Sequence, residues 1–148
     1  MNSLWKSYQI SLLALAMWRE ARGEGSEAMI AIGCALRNRA QKPCWWGKNL
    51  IAVITKKWQV SSMAAPGDRQ LILYPQEGDK AFDQALSLAG QVINGLVENL
   101  FPGADSWYDD SIPAPKWATK DNFCGKIGRL SFHNVDMDTE DIKTEVSG

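Results

Sequence analysis

The chain of 148 residues contains one histidine, His133, and three cysteines, Cys34, Cys44 and Cys124. A single imidazole is too few for a zinc amidase centre, and no cysteine cluster makes up the missing ligands. No metal or other cofactor is therefore expected. A cysteine peptidase has only His133 to serve as base, and no thiol stands in a context that marks a nucleophile. An odd cysteine count without a Cys-x-x-Cys spacing also argues against a disulfide framework. Buried free thiols in a reducing compartment are the expectation. Charge of one sign is missing as well, with 16 basic and 17 acidic side chains. Without a dense Lys/Arg stripe, nucleic acid is not an expected partner. The largely apolar run 10–17 falls well short of the roughly 20 residues that span a bilayer. Lys6 followed by that run imitates a signal-peptide core, but no small-residue cleavage site follows it cleanly. The run reads as a mature helix without a signal peptide.

Tryptophan is abundant: Trp5, Trp18, Trp45, Trp46, Trp58, Trp107 and Trp117. Indoles fill cores, and they also stack on the apolar faces of sugars. Charge is unevenly distributed. Residues 134–148 hold Asp136, Asp138, Glu140, Asp141 and Glu145 against Lys143, which leaves 1–133 mildly basic. A mildly basic body suits an anionic polymer. The expected organisation is one domain over 1–133, with 134–148 as a solvated acidic tail. The chain is long enough for one real core, and a monomer is expected.

Helical spacing of Trp5, Tyr8, Leu12, Leu15 and Ala16 predicts a helix over 4–22, stopped by Gly23 and Gly25. Ser26 is placed to cap a second helix to about Arg39, with a stripe of Met29, Ile32, Gly33, Leu36 and Ala40. Gly33 on that stripe implies close approach of another backbone. Asn49 is placed to cap a short helix to about Lys57. Residues 58–77, with Pro66, Gly67 and Pro75, read as an irregular loop. Asp79 is placed to cap the clearest amphipathic helix, to about Glu98, with Leu96 on its inner face. Short extended pieces are expected at 106–108 and 126–134. The fold class is α+β, predominantly helical, with a small extended C-terminal portion.

The sharpest segment is Trp18-Arg-Glu-Ala-Arg-Gly-Glu-Gly25. Glu20 follows Ala16 by four residues and Met17 by three, so it leaves the helix beside the face that enters the core. Burial there disfavours the carboxylate and raises the pKa. A raised carboxyl pKa is what a general acid for a glycosidic oxygen needs. A Glu that pairs with a neighbouring Arg at a helix end gives the same local pattern. Glu24, beyond the Gly23 break, is expected to order the turn or pair with Arg22 or Arg39.

Several motifs together resemble one family. They are EARGEG at 20–25, Asn38-Arg39-Ala40, Gln59-Val60-Ser61, Pro102-Gly103-Ala104 with Trp107-Tyr108, Pro115-x-Trp117, and Ile127-Gly128 with Phe132. In this order, over about 12–132, they are similar to the cell wall hydrolase family of spore-cortex-lytic (SleB-type) enzymes. The resemblance implies a lysozyme-like fold, with Glu20 at the end of a helix on the floor of a sugar groove. It implies cleavage of the β-1,4 bond between N-acetylmuramic acid and N-acetylglucosamine in peptidoglycan glycan strands, as a lytic transglycosylase. One carboxyl then serves as acid and base, and no second carboxylate is required. Gln59, Ser61, Trp107, Tyr108 and Trp117 are the candidate substrate-binding residues. Ser106 and Leu130 stand where the family commonly has histidines, which leaves sugar contacts in the C-terminal part less defined.

Two rival readings remain. A hydrolytic muramidase needs a second carboxylate, for which Asp105, Asp109 and Asp110 are candidates. A peptidoglycan-binding module would use the indoles without catalysis. The expected setting is synthesis in the cytoplasm and action on the bacterial wall, as for a phage lysin released at lysis.

Overall fold

The computed structural model describes residues 3–57 and 59–137. Trp58 and most of the expected acidic tail lie outside them. The helices are α1 (Ser3–Ala21), α2 (Ser26–Gln41), α3 (Leu50–Thr55), α4 (Ser61–Ala64) and α5 (Lys80–Ile93). A three-stranded antiparallel sheet follows, of β1 (Ser106–Asp109), β2 (Phe123–Ile127) and β3 (Leu130–His133), in the order β1-β3-β2.

The second half of α1 is the axis of the core. Leu13, Ala14, Ala16, Met17 and Trp18 are buried around nearly the whole circumference, because α2, α3, α4 and α5 all pack on α1. The predicted stripe is therefore only partly right. Trp5 and Tyr8 are exposed and meet edge to face, with ring centroids 5.7 Å apart. Gly33 marks a close approach of side chains, not of the backbone that was expected. A Cβ there would lie 3.1 Å from Met17 Sδ and 3.3 Å from Val92 Cγ2, so α1, α2 and α5 meet at that point. No helix among the described residues is long and apolar enough to cross a membrane.

Several boundaries differ from expectation. Asn49 and Asp79 do cap their helices, accepting from Ala52 N and Phe82 N at 2.9 Å each. Ser26 does not cap α2: Gly25 occupies the cap position at φ +92° and Ser26 is already helical. The third helix ends at Thr55 rather than Lys57. Helix α5 ends at Ile93, short of Glu98. Gly95 N bonds to Val92 O and Leu96 N to Gln91 O, a Schellman closure around Gly95 at φ +69°. Leu96 is thereby turned outward and is exposed, not inward as its spacing implied. The 58–77 stretch holds α4 and a 3-10 turn, Arg69–Ile72. The extended run at 126–134 is folded back at Gly128 (φ +56°), so it contributes to two strands. None of the three cysteines forms a disulfide, and only Cys34 is buried; Cys44 and Cys124 are half-buried.

Buried polar side chains fasten the surrounding pieces. Arg19, on α1, donates to the backbone carbonyls of Ser62, Leu71 and Leu73, and so anchors the 58–77 stretch beside Glu20. Asn38 donates to Ala104 O at 2.7 Å and Arg39 Nε to Asp105 O at 2.6 Å, which fixes the approach to β1. The Asp105 carboxylate is fully buried and accepts from Val135 N, Asp136 N, Met137 N and Ser106 Oγ. Replacing Asp105 with Ala leaves these donors without an acceptor, and the expected loss is about 3 kcal/mol of folding stability. A denaturant titration of Asp105→Ala checks this.

Candidate active site

Glu20 sits in the last turn of α1, between the anchored 58–77 stretch and β1. Trp107 Nε1 donates to Glu20 Oε1 at 2.8 Å. Loss of water around the carboxyl pushes its pKa above the ordinary 4.5, and the negative charges of Asp68 and Asp109 push the same way. The Trp107 indole and the Ser62 hydroxyl oppose this by favouring the carboxylate, but desolvation prevails. Ser62 Oγ is buried beside the carboxyl without a protein hydrogen bond of ordinary geometry.

Glu20 borders three adjoining hollows that form one open groove. The first, of about 400 Å³, brings Gln59, Ser61, Trp107 and Trp117 together with Glu20. The second, of about 390 Å³, shares Glu20, Ser61, Trp107 and Trp117 and continues to Ile112 and Leu130. The third, of about 300 Å³, lies toward Arg22, Gln70 and Arg129. The arrangement suits an extended polymer lying across one carboxyl, with indole faces on its walls.

Tyr108 is differently placed from the other expected wall residues. Side chains alternate along β1, so Trp107 and Tyr108 leave opposite faces of the sheet. Tyr108 stacks on His133, with ring centroids 5.8 Å apart, and reaches only the outer part of the groove. Sequence reasoning did not assign Arg39, Trp45, Ser106, Gln70 or Asp136 to the groove, which they also line. The Asn38-Arg39 pair and the Trp45-Trp46 doublet were visible signals; nothing in the sequence marked Gln70. The Arg39 guanidinium lies 5.6 Å from the Trp107 ring and 5.7 Å from the Trp46 ring, and so wedges the indole that holds Glu20.

The two departures from the family pattern have simple surroundings. The Ser106 hydroxyl is committed to Asp105 Oδ1 at 2.8 Å. Leu130 is buried and supplies apolar groove wall. Glu24 pairs with Arg129 Nε at 2.9 Å rather than with Arg22 or Arg39, because the β2–β3 turn packs on it. A Cβ at Gly128 would fall 2.1 Å from Glu24 Oε2.

The carboxylates considered for a muramidase separate clearly. Asp105 is enclosed and fully bonded, as described. Asp110 pairs with Lys126 on the surface. Asp109 borders the groove with Glu20; a hydrogen bond from Ser111 N, with Arg129 at 3.8 Å, holds it below the ordinary carboxylate range. The ring nitrogens of His133 bond to Ser131 and Asn122, not to a thiol as a cysteine peptidase requires.

Fold and groove together define a helix-rich, lysozyme-like domain with a small antiparallel sheet. The family model for cell wall hydrolases matches residues 23–133, and the chain belongs to that family. It is an enzyme, which sets aside a non-catalytic binding module. Among solved structures it is similar to the catalytic domain of the germination-specific lytic transglycosylase SleB from Bacillus anthracis. The TM-score is 0.64 at 22% identity, over 84% of this chain and 93% of that chain. The Bacillus cereus SleB catalytic domain gives a TM-score of 0.62 at 25% identity, over 84% of this chain and 88% of that chain. No curated protein sequence matches the chain. The family match begins at Gly23, so the case for Glu20 rests on its geometry.

The raised Glu20 pKa carries a stability consequence with a definite sign. The folded state binds the proton more tightly than the unfolded chain, so ionising Glu20 costs stability as pH rises above 4.5. Glu20→Gln, neutral at every pH, is expected to melt higher than the parent at neutral pH. The difference shrinks toward zero below pH 4.5, which melting curves across pH measure.

Proposed function

We propose that the chain cuts peptidoglycan glycan strands at the β-1,4 bond between N-acetylmuramic acid and N-acetylglucosamine, as a lytic transglycosylase with Glu20 as its acid and base. The single observation that carries this reading is a desolvated carboxyl, hydrogen-bonded by Trp107, midway along an open indole-walled groove. The B. anthracis relative is described as a lytic transglycosylase, which supports the same chemistry.

Protonated Glu20 donates its proton to the glycosidic oxygen as the bond to the muramic acid anomeric carbon breaks. The N-acetylglucosamine side leaves as an alcohol. The Glu20 carboxylate then takes the proton of the muramic acid 6-hydroxyl, whose oxygen bonds to the anomeric carbon as a 1,6-anhydro ring. Glu20 is returned protonated. Desolvation favours its starting state, and the Trp107 N–H stabilises the carboxylate between the two steps. Trp107 and Trp117 offer aromatic surface to sugar rings; Gln59 and Ser61 offer hydrogen bonds to hydroxyl and acetamido groups. Tyr108 supports Trp117 through an edge contact at 6.0 Å.

Hydrolysis is the second reading, and Asp109 is the observation in its favour. It is held below the ordinary carboxylate range and borders the groove with Glu20, whose carboxyl is held above it. In that mechanism Asp109 activates water or stabilises the oxocarbenium ion.

Digestion of purified sacculi followed by mass spectrometry distinguishes the readings. Anhydro-muramyl ends are expected from the parent chain, and Glu20→Gln should reduce cutting by about 100-fold or more. Asp109→Asn should leave the anhydro product in place. Reducing ends that disappear in Asp109→Asn assign hydrolysis instead, and cutting that survives Glu20→Gln removes the assignment of the acid.

A further inference from the structure

On the sheet face opposite Trp107, β3 presents Ser131 and His133 side by side, two residues apart and both buried. Ser131 Oγ lies 2.9 Å from His133 Nε2, and His133 Nδ1 lies 2.7 Å from Asn122 Oδ1. Asn122 is held on its other bonds: its Oδ1 accepts from Thr119 N at 3.0 Å and its Nδ2 donates to Trp117 O at 2.6 Å. That fixed amide orientation sets the histidine tautomer. Facing an acceptor, Nδ1 carries the proton. The Nε2 lone pair is then left to accept the Ser131 hydroxyl proton. Burial holds the His133 pKa below the ordinary 6.5, against the Thr119 hydrogen bond and the Asp105 charge, so the ring is neutral at neutral pH.

None of these groups takes part in the chemistry at Glu20. The arrangement nevertheless opens on a cavity of its own, of about 330 Å³, lined by Tyr108, Thr119, Lys120, Phe123, Ser131 and His133. We propose that Ser131, His133 and Asn122 form a second catalytic site, a nucleophile–base–orienting relay that hydrolyses small acyl esters. The geometric roles are those of an activated serine: a nucleophile on its base, and the base on a third group that fixes its tautomer. Two further hydrogen-bond donors line the cavity and are available to an oxyanion. The Thr119 hydroxyl accepts from Asn122 N at 3.3 Å, which leaves its own proton to donate, and the Lys120 ammonium borders the same cavity. The Tyr108 and Phe123 rings offer apolar surface to the acyl group of a small ester.

In the first step Ser131 Oγ bonds to the ester carbonyl carbon as its proton passes to His133 Nε2. The bond to the alkoxy oxygen then breaks, and that oxygen leaves as an alcohol with the proton from Nε2. Water attacks the acyl-serine, giving its proton to Nε2. The carboxylic acid is released and Ser131 is regenerated. The sum is ester and water to acid and alcohol, with no other reactant. This proposal does not depend on the assignment of Glu20.

The test is incubation of the full chain with p-nitrophenyl acetate, and separately with a small fluorophosphonate, followed by peptide mass mapping. The expected results are p-nitrophenol release, a covalent adduct on Ser131, and a fall of about 100-fold in release for Ser131→Ala. Ser131→Ala removes one hydroxyl, and a melting curve confirms that it folds. Its cutting of sacculi should equal that of the parent. An unmodified Ser131 in the folded parent, or release by Ser131→Ala at the parental rate, overturns the proposal.

Discussion

The hydrogen bond from the Trp107 indole to Glu20 joins the last turn of α1 to β1 across 87 residues of sequence. The rest of the site is arranged around it. A carboxyl stripped of water retains its proton, and such a group is useful only if its carboxylate form can also be reached. The indole N–H supplies that second half without adding a charge. Its position depends on Arg39, which lies against the ring and is itself bonded to Asp105 O. Asp105 in turn gathers the backbone of 135–137. Glu20 is thus held by a chain of buried polar contacts that runs from the core to the groove wall.

That chain explains the distribution of buried charge in so small a domain. Arg19, Arg39 and Asp105 are all nearly inaccessible, and each is bonded to backbone. Burying such groups is costly unless their hydrogen bonds are met. Here they tie two largely irregular segments, residues 62–73 and the approach to β1, onto the helical core. Irregular backbone leaves carbonyls and N–H groups without ladder partners, and these arginine and aspartate side chains supply them.

The sheet works on two sides. Alternation along β1 and β3 sends Trp107, Leu130 and Phe132 toward the groove and core. Tyr108, Ser131 and His133 go to the other face. The same alternation separates the Glu20 carboxyl from the His133 imidazole. It also explains why Tyr108, adjacent to Trp107 in sequence, contributes to the groove mainly by bracing Trp117.

Much of this was legible in the sequence because it is local. The helical periods, the caps at Asn49 and Asp79 and the placement of Glu20 beside the core face each depend on residues within a turn or two. Gln59, Ser61, Trp107 and Trp117 were legible by resemblance, and the fold brings them to the same groove as Glu20. Other features depend on partners distant in sequence, and no local pattern encodes them. The exposure of Trp5 and Tyr8 depends on which turns of α1 the other elements cover. The outward turn of Leu96 depends on the Schellman closure at Gly95. Burial of the Asp105 carboxylate depends on the return of 135–137, and Glu24 finds Arg129 because the hairpin packs on it. The sequence by itself determined the helical domain and its candidate acid, since periodicity and side-chain chemistry are properties of neighbours. Only the tertiary structure decided which carboxylates face the groove, since desolvation and charge pairing arise from groups that folding brings together.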